Sequence, residues 1–304
     1  MAKRVTYCEG RITGIAAEEA GDPALPLIVC IPGGGSSAMA FDLPHQSFLR
    51  SAVRNGFAAV ALNRPAQMDS AALQLDPAAD EGAFAANAEI LMRTIDEMRR
   101  ASFQGGGNVF IYGSSIGGAI ALHMAARWSR TPRAWKLCGL SVADIGSDPP
   151  QRVVDTWRAL PMTDIVNLAE YLPLFAASAP PWSLPMRPPG PPRALRLPIP
   201  RAELQEVVGA WPRRWREVCG EVRVPVQYAL AQYDAPWQVS GRLVEEFAAA
   251  LSRSSPHVEA KIFKGASHAI ALGPLGQTHV LEVLAFAARC AVAVRIPGIH
   301  GSSS

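Results

Sequence analysis

A serine between two glycines lies at an abrupt change of pattern near the middle of the chain. The pentapeptide GSSIG, residues 113–117, follows an apolar run at 108–114 and precedes helical spacing at 116–128. A strand that passes directly into a helix strains the connecting residue, and a side chain on either glycine would clash at such a turn. The pattern predicts that Ser115 is an exposed nucleophile. A tight turn without chemistry would need the same glycines.

The base that a serine nucleophile needs is predicted to be His268. A serine hydroxyl reacts poorly at neutral pH unless a base lies within hydrogen-bond reach. His268 follows the last predicted strand, in the sequence KGASH, on a loop that would return over the sheet. His123 is predicted to pack within a helix, and His45 is a candidate for lining the pocket. The remaining histidines are predicted to lie on the surface: His257, His279 and His300.

Two aspartates follow predicted strands and are candidates for the residue that orients the histidine. The base needs an acceptor that fixes its tautomer and stabilises the imidazolium formed during attack. Asp234 ends one predicted strand and precedes the sequence APW, whereas Asp144 follows an earlier strand in the sequence VADIG. The spacing to His268 favours Asp234 as the acid, and Asp144 is the alternative.

The glycine run GGG at 33–35 follows the apolar run 27–32 and predicts an oxyanion hole. Attack on an acyl carbonyl creates an oxyanion, and each well-placed backbone N–H group stabilises the transition state by about 3 to 4 kcal/mol. The expected donors are the N–H of Ile116, directly after the nucleophile, and that of Gly34 or Gly35. A phosphate-binding loop is excluded because no lysine and hydroxyl pair follows the glycines.

The elements that must position these residues alternate between short β-branched runs and longer helical patterns. This alternation is typical of an α/β fold with a mostly parallel central sheet flanked by helices. The apolar run LIVCIP at 27–32 indicates a strand that is covered on both faces. The other predicted strands are 4–8, 11–16, 57–63, 108–114, 135–142, 226–231 and 258–263. The predicted helices are 46–56, 81–103, 116–128, 240–251 and 278–292.

Residues 146–217 interrupt this alternation, lose strand character and are rich in proline between 172 and 200. We interpret them as a helical lid inserted into a core formed by 1–145 and 218–300, because insertions of this kind lie over the carboxyl ends of the strands. An exposed linker is the alternative. The aromatic residues predicted to bind substrate are Trp157, Tyr171, Phe175, Trp182 and Trp237. The arginines of the insertion are interpreted as either solvated or attracting an anionic substrate.

Taken together, these motifs resemble the α/β-hydrolase superfamily, and in particular its lid-bearing esterases and lipases. The matching features are PGGG after one strand, Asn63-Arg64-Pro65 after the next, GSSIGG, and the chain order serine, acid, histidine. The resemblance implies an eight-stranded sheet, a covering lid, and a catalytic triad of Ser115, Asp234 and His268. The sequence departs from many relatives at Pro32, Asn63 and Ala66, and these departures leave the subfamily and the substrate open.

Composition limits the partners and the compartment. The chain has 304 residues, with 29 basic and 26 acidic side chains, and this small excess of positive charge gives no indication of nucleic-acid binding. Its five cysteines include no CxxC pair that could hold a metal. Neither a metal site nor a cofactor is predicted. No signal peptide and no run suited to crossing a membrane is recognised, which favours a cytoplasmic protein. The oligomeric state is not predicted.

The predicted substrate is a small molecule, a hydrophobic carboxylic ester, and the predicted reaction is two-step acyl transfer to water through an acyl-enzyme on Ser115. The aromatic insertion suggests a medium-sized acyl or alcohol group. Thioesters and lactones would use the same residues, and so would carbon–carbon bond hydrolysis and perhydrolysis. A ligand receptor that keeps the pocket but turns over slowly is the alternative from another class.

Overall fold

The computed structural model describes residues 2–17, 21–72, 82–100, 107–131, 133–167, 179–184 and 197–295. Within these ranges the chain forms one eight-stranded, mostly parallel sheet with helices on both faces. The α/β-hydrolase fold predicted from the sequence is therefore confirmed. Two of the predicted substrate-binding residues, Tyr171 and Phe175, lie outside the described residues, and so does His300.

The strands of the main sheet are β1 Ala2–Tyr7, β2 Ile12–Ala17, β3 Leu27–Ile31, β6 Ala59–Leu62, β7 Asn108–Ser114, β8 Lys136–Ala143, β11 Val226–Tyr233 and β12 Val258–Ser267. They lie side by side in the order β1-β2-β6-β3-β7-β8-β11-β12. All pairings from β6 to β12 in this sheet are parallel, while β1 and β2 form an antiparallel pair at one edge of it. Two short antiparallel pairs lie outside it: β4 Asp42–Leu43 with β5 Gln46–Ser47, and β9 Ile165–Asn167 with β10 Pro198–Pro200.

The helices divide into two layers that cover the two faces of the sheet. The core helices are α1 Phe48–Arg54, α2 Ala83–Arg100, α3 Ile116–Trp128, α7 Gly241–Leu251 and α8 Gly276–Arg295. Those in the predicted insertion are α4 Gln151–Arg158, α5 Arg201–Val208 and α6 Trp211–Gly220. One hydrophobic cluster joins the sheet to α2, α3, α6 and α7, and the other joins it to α1 and α8. Because both faces are covered, the residues of β3 are all fully buried.

The register of the strands brings the predicted site residues together at the carboxyl ends of the parallel strands. Ile31 of β3 pairs with Gly113 of β7, and Ser114 of β7 pairs with Ala143 of β8. These three parallel strands therefore end side by side, and the residues that follow them are neighbours in space although they are far apart in the chain.

The insertion differs in detail from the sequence prediction. It was expected to lack strands, yet β9 and β10 form a small antiparallel pair within it. Its predicted end at 217 falls inside helix α6, whose Trp215 stacks on Phe247 of core helix α7 at a ring separation of 5.0 Å. Helix α6 thus packs on the core, because its tryptophans gain more from burial there than from exposure.

The sequence analysis recognised no segment suited to crossing a membrane, and helix α8 bears on that expectation. By length and composition alone, Gly276–Val294 is long and apolar enough to do so. Its apolar residues have another explanation, because Val283, Phe286 and Ala287 are buried against the sheet in the second hydrophobic cluster. A helix that covers one face of a core needs an apolar stripe of this kind.

Candidate active site

Ser115 occupies a sharp turn between β7 and α3. Its φ of 55° and ψ of −126° are rare for a residue with a side chain, and such strain is typical of functional positions. The flanking glycines are required by space: a Cβ on Gly113 would lie 2.4 Å from the carbonyl oxygen of Gly117, and a Cβ on Gly117 would lie 2.3 Å from that of Ile31. The turn thus has the geometry predicted from the pentapeptide.

A continuous chain of hydrogen bonds links Ser115, His268 and Asp234. The Nε2 atom of His268 lies 3.1 Å from Ser115 Oγ, and its Nδ1 atom lies 3.0 Å from Asp234 Oδ1. Each residue directly follows the end of a parallel strand: β7, β12 and β11 respectively. The structure therefore brings together the three side chains that the sequence analysis selected, although Ser115 is more than a hundred residues away from the other two in the chain.

Charge around the imidazole favours its protonated form. Burial lowers the pKa of His268, but the negative charge of Asp234, its hydrogen bond and the charge of Asp144 together raise that pKa above the usual value of 6.5. An Nδ1–H that donates to Asp234 leaves Nε2 of the neutral ring as the acceptor for the Ser115 hydroxyl. The arrangement can therefore take up a proton from Ser115 and stabilise the resulting imidazolium.

Asp144, the alternative acid, contacts a different set of groups. Its Oδ2 accepts a hydrogen bond from Ser114 Oγ at 2.8 Å, and its Oδ1 accepts one from the backbone N–H of Ile270 at 3.1 Å. The carboxylate is fully buried, and burial raises the pKa of Asp144 to about 6. Asp144 thus links the serine turn to the histidine loop, whereas Asp234 contacts the imidazole directly.

Asp144, Asp234 and His268 also form a cluster of the residue types that bind metal ions. Their potential ligand atoms lie within 4.8 Å of one another. Both nitrogen atoms of His268 already face hydrogen-bond partners, Asp234 and Ser115. The donor set therefore fits a proton-transfer chain better than a ligand set.

The glycine loop lies directly beside the nucleophile. A Cβ on Gly33 would lie 3.0 Å from Ser115 Cβ, and a Cβ on Gly34 would lie 2.9 Å from Cδ1 of Ile116. Gly35 has a φ of 66°, which permits the loop to turn back. The sequence analysis did not predict that Gly33 lies against Ser115. Its position just after a predicted strand could have indicated this contact, because Ser115 also follows a strand.

A cavity of about 90 Å³ opens at Ser115 and His268. Its walls include Phe41, Phe48, Leu272 and Val280, together with the side chain of Gln46. Sequence reasoning assigned none of the five to the site. Phe41 and Leu272 lie between the predicted elements, and the other three lie in the predicted helices 46–56 and 278–292.

Of the five aromatic residues predicted to bind substrate, the three that the structure describes do not line this cavity. Trp157 and Trp237 are each 3 % exposed and pack in the core, and the indole N–H of Trp237 donates to the carbonyl oxygen of Asp144. Trp182 is 61 % exposed and lies edge-on to Tyr233. The prediction is corrected for Trp157 and Trp237, which are core residues because large aromatic rings gain most from burial. Trp182 lies on the surface, outside the cavity wall.

The other described histidines take no part in this hydrogen-bonded chain. His279 was predicted to be a surface residue but is buried, where its Nε2 lies 3.1 Å from the hydroxyl of Tyr112. His123 packs beside Phe84 and Trp211, and burial lowers its pKa to about 3. His45 and His257 are exposed.

Fold and site geometry together define a hydrolase of the α/β type, and sequence comparison agrees. The model of the alpha/beta hydrolase family matches residues 28–279, and the chain belongs to this family. No curated protein matches the sequence.

Solved structures with similar folds include lipases and esterases. A lipase in its open form has a TM-score of 0.66 at 18 % identity, with 96 % of this chain and 99 % of that chain covered. A highly thermostable carboxyl esterase from Bacillus coagulans in complex with glycerol has a TM-score of 0.61 at 15 % identity, covering 96 % and 98 %. E-2-(acetamidomethylene)succinate hydrolase has a TM-score of 0.56 at 15 % identity, covering 94 % and 98 %. At these identities the likeness concerns the fold.

Proposed function

We propose that this protein is a serine hydrolase that cleaves carboxylic esters through an acyl-enzyme on Ser115. The observation that carries the proposal is the hydrogen-bonded chain from Ser115 through His268 to the buried Asp234, set beside a glycine loop and the first turn of a helix. These are the parts that nucleophilic acyl transfer requires.

Acylation begins when Ser115 Oγ attacks the ester carbonyl carbon while His268 Nε2 takes the hydroxyl proton. The carbonyl oxygen becomes an oxyanion, which the N–H groups of Ile116 and Gly34 stabilise. When the tetrahedral intermediate collapses, the bond to the alcohol oxygen breaks and His268 returns the proton to the leaving alcohol. Asp234 holds the imidazole and stabilises its charge throughout.

Deacylation repeats these steps with water. His268 removes a proton from a water molecule, whose oxygen attacks the acyl carbon, and the proton then passes to Ser115 Oγ as the carboxylic acid leaves. Ile116 suits the role of an oxyanion donor because it is the first residue of α3, where backbone N–H groups have no partner within the helix and the helix dipole favours negative charge.

The cavity indicates a short acyl group, which is smaller than the sequence analysis suggested. A cavity of roughly 150 Å³ lined by apolar side chains holds a benzene ring. In proportion, the 90 Å³ beside Ser115 holds about three or four carbon atoms. Esters, thioesters and lactones of short acids are thus the proposed substrates. The described insertion, with β10 against the glycine loop, is proposed to act as the lid.

A fluorophosphonate probe tests the proposal directly, since it reacts with an activated serine and forms a stable adduct. We expect one equivalent of label on the wild-type protein and none on Ser115→Ala. Ser254→Ala, which removes an exposed hydroxyl remote from the site, should label like the wild type. A protein that binds short esters but takes up no label would instead be a receptor on the same fold.

A further inference from the structure

Arg64 is fully buried beneath the glycine loop, where it forms an ion pair with a residue of the insertion. Its guanidinium bonds Glu203 of α5 in bidentate fashion, with Nη2–Oε2 and Nε–Oε1 distances of 2.6 and 3.2 Å. Both side chains have 0 % exposure. Asn87 of α2 donates a further hydrogen bond to Glu203 Oε1, so the carboxylate is held from two sides.

The third guanidinium nitrogen of Arg64, Nη1, donates hydrogen bonds to the start of the glycine loop. This atom lies 2.7 Å from the carbonyl oxygen of Pro32 and 2.7 Å from that of Gly33. The carbonyl of Gly33 belongs to the same planar peptide unit as the N–H of Gly34. A restraint on this oxygen therefore fixes the direction of the Gly34 N–H, which points away from Arg64 in a trans peptide.

A loop of three glycines needs such a restraint. Glycine has more backbone freedom than any other residue, and these residues have no side chains that could anchor the loop. The positively charged guanidinium of Arg64 lies beside the Gly33 carbonyl oxygen and polarises this peptide unit. The polarisation makes the N–H of Gly34 a stronger hydrogen-bond donor.

The insertion holds the same loop at two further points. The backbone N–H of Leu197 donates to the carbonyl oxygen of Gly35 at 2.9 Å, and Ile199 of β10 packs where a Cβ of Gly34 would lie. Together with Glu203, these contacts place the second half of the insertion against the glycine loop.

We propose that Arg64, held by Glu203, is the positioning residue of the oxyanion hole: it directs and polarises the Gly34 N–H. The inference rests on the proposed esterase activity. It makes the insertion part of the transition-state machinery as well as a cover, since Glu203, the ion-pair partner of Arg64, lies on α5.

The test uses Arg64→Lys, which keeps the charge but loses the forked geometry, and Glu203→Gln, which keeps the shape but loses the charge. Activity is expressed per active site, counted by complete fluorophosphonate labelling. We expect kcat per site to fall about 10- to 100-fold in both variants, with KM changed less than twofold. Affinity for a trifluoromethyl ketone, which forms a tetrahedral adduct on serine, should fall by the same factor.

Arg133→Lys is the matched control, because Arg133 forms a largely buried ion pair with Asp96 and precedes the start of β8, whereas the site follows the ends of the parallel strands. It should lower stability without changing kcat per active site. If Arg64→Lys does not fold, Glu203→Gln decides the question.

Unchanged kcat per active site in the folded variants, or a change confined to KM, would overturn the positioning role while leaving the esterase proposal intact. A wild-type protein that neither labels nor hydrolyses esters would instead remove the function on which this inference rests.

Discussion

His268 must be neutral to accept the proton of Ser115, and the charges around it decide the pH at which that form predominates. Asp234 contacts the ring directly, while Asp144 acts through space and holds the neighbouring loop through Ile270. Two buried carboxylates therefore act on one imidazole. Only one of them forms a hydrogen bond with it, so their roles can be separated by experiment.

The pH dependence of kcat/KM should report this arrangement. Because the pKa of His268 is raised, the inactive imidazolium persists above pH 6.5, and kcat/KM should rise with a midpoint above that value. Asp144→Asn removes one negative charge and should move the midpoint down by about one pH unit. The exposed Asp148→Asn serves as control and should leave it in place. A wild-type midpoint below 6.5, or an upward shift in Asp144→Asn, would contradict this assignment.

At the scale of elements, the sequence predicted the parts of the site that follow strands. The strand at 108–114 and the helix at 116–128 were predicted with their observed bounds, because an apolar run, a glycine pair and helical spacing follow one another without a gap. The same logic located Asp234 and His268. It failed for Arg64, because the partner of this residue lies 139 positions away and only the folded chain brings them together.

The residues that line the cavity were not predicted either, because their contacts also form only in the folded chain. Phe41 lies in a short 3-10 helix, Ala38–Phe41, within a segment that has no periodicity, and the packing of its ring against Phe48 and Tyr112 is set by tertiary structure. Trp157 and Trp237 were predicted to bind substrate but are buried in the core. Aromatic content alone could not separate residues that bind substrate from residues that fill the core.

The short helix that carries Phe41 should set the acyl-chain limit. Wild-type activity on p-nitrophenyl esters should be highest with acyl chains of about four carbons or fewer. Phe41→Ala enlarges the cavity and should raise the ratio of octanoyl to butyryl ester kcat/KM about tenfold. Phe286→Ala removes a buried phenylalanine outside the cavity wall and should leave this ratio unchanged. A wild-type preference for long chains would contradict the proposed limit.

At the scale of the whole molecule, helix α8 contributes to stability by covering one face of the sheet with its apolar side. Val283 is fully buried against the sheet, whereas Leu281 on the same helix is 47 % exposed. A core helix tolerates polar substitution on one face alone, and a helix surrounded by lipid would not distinguish the faces in this way.

Val283→Asp should therefore destabilise the protein by several kcal/mol, because it buries a carboxylate without a partner. Leu281→Asp should change the free energy of unfolding by no more than about 0.5 kcal/mol. Urea unfolding measures both. Equal destabilisation by the two substitutions would show that α8 is not packed as described.

The measurement that tests the central claim most directly is mass spectrometry of the protein after a rapid acid quench during turnover of p-nitrophenyl butyrate. A butyryl adduct on the peptide that contains Ser115, formed with the burst of p-nitrophenol, is the expected result. Turnover with no adduct on that peptide, or with an adduct on another residue, would contradict the account.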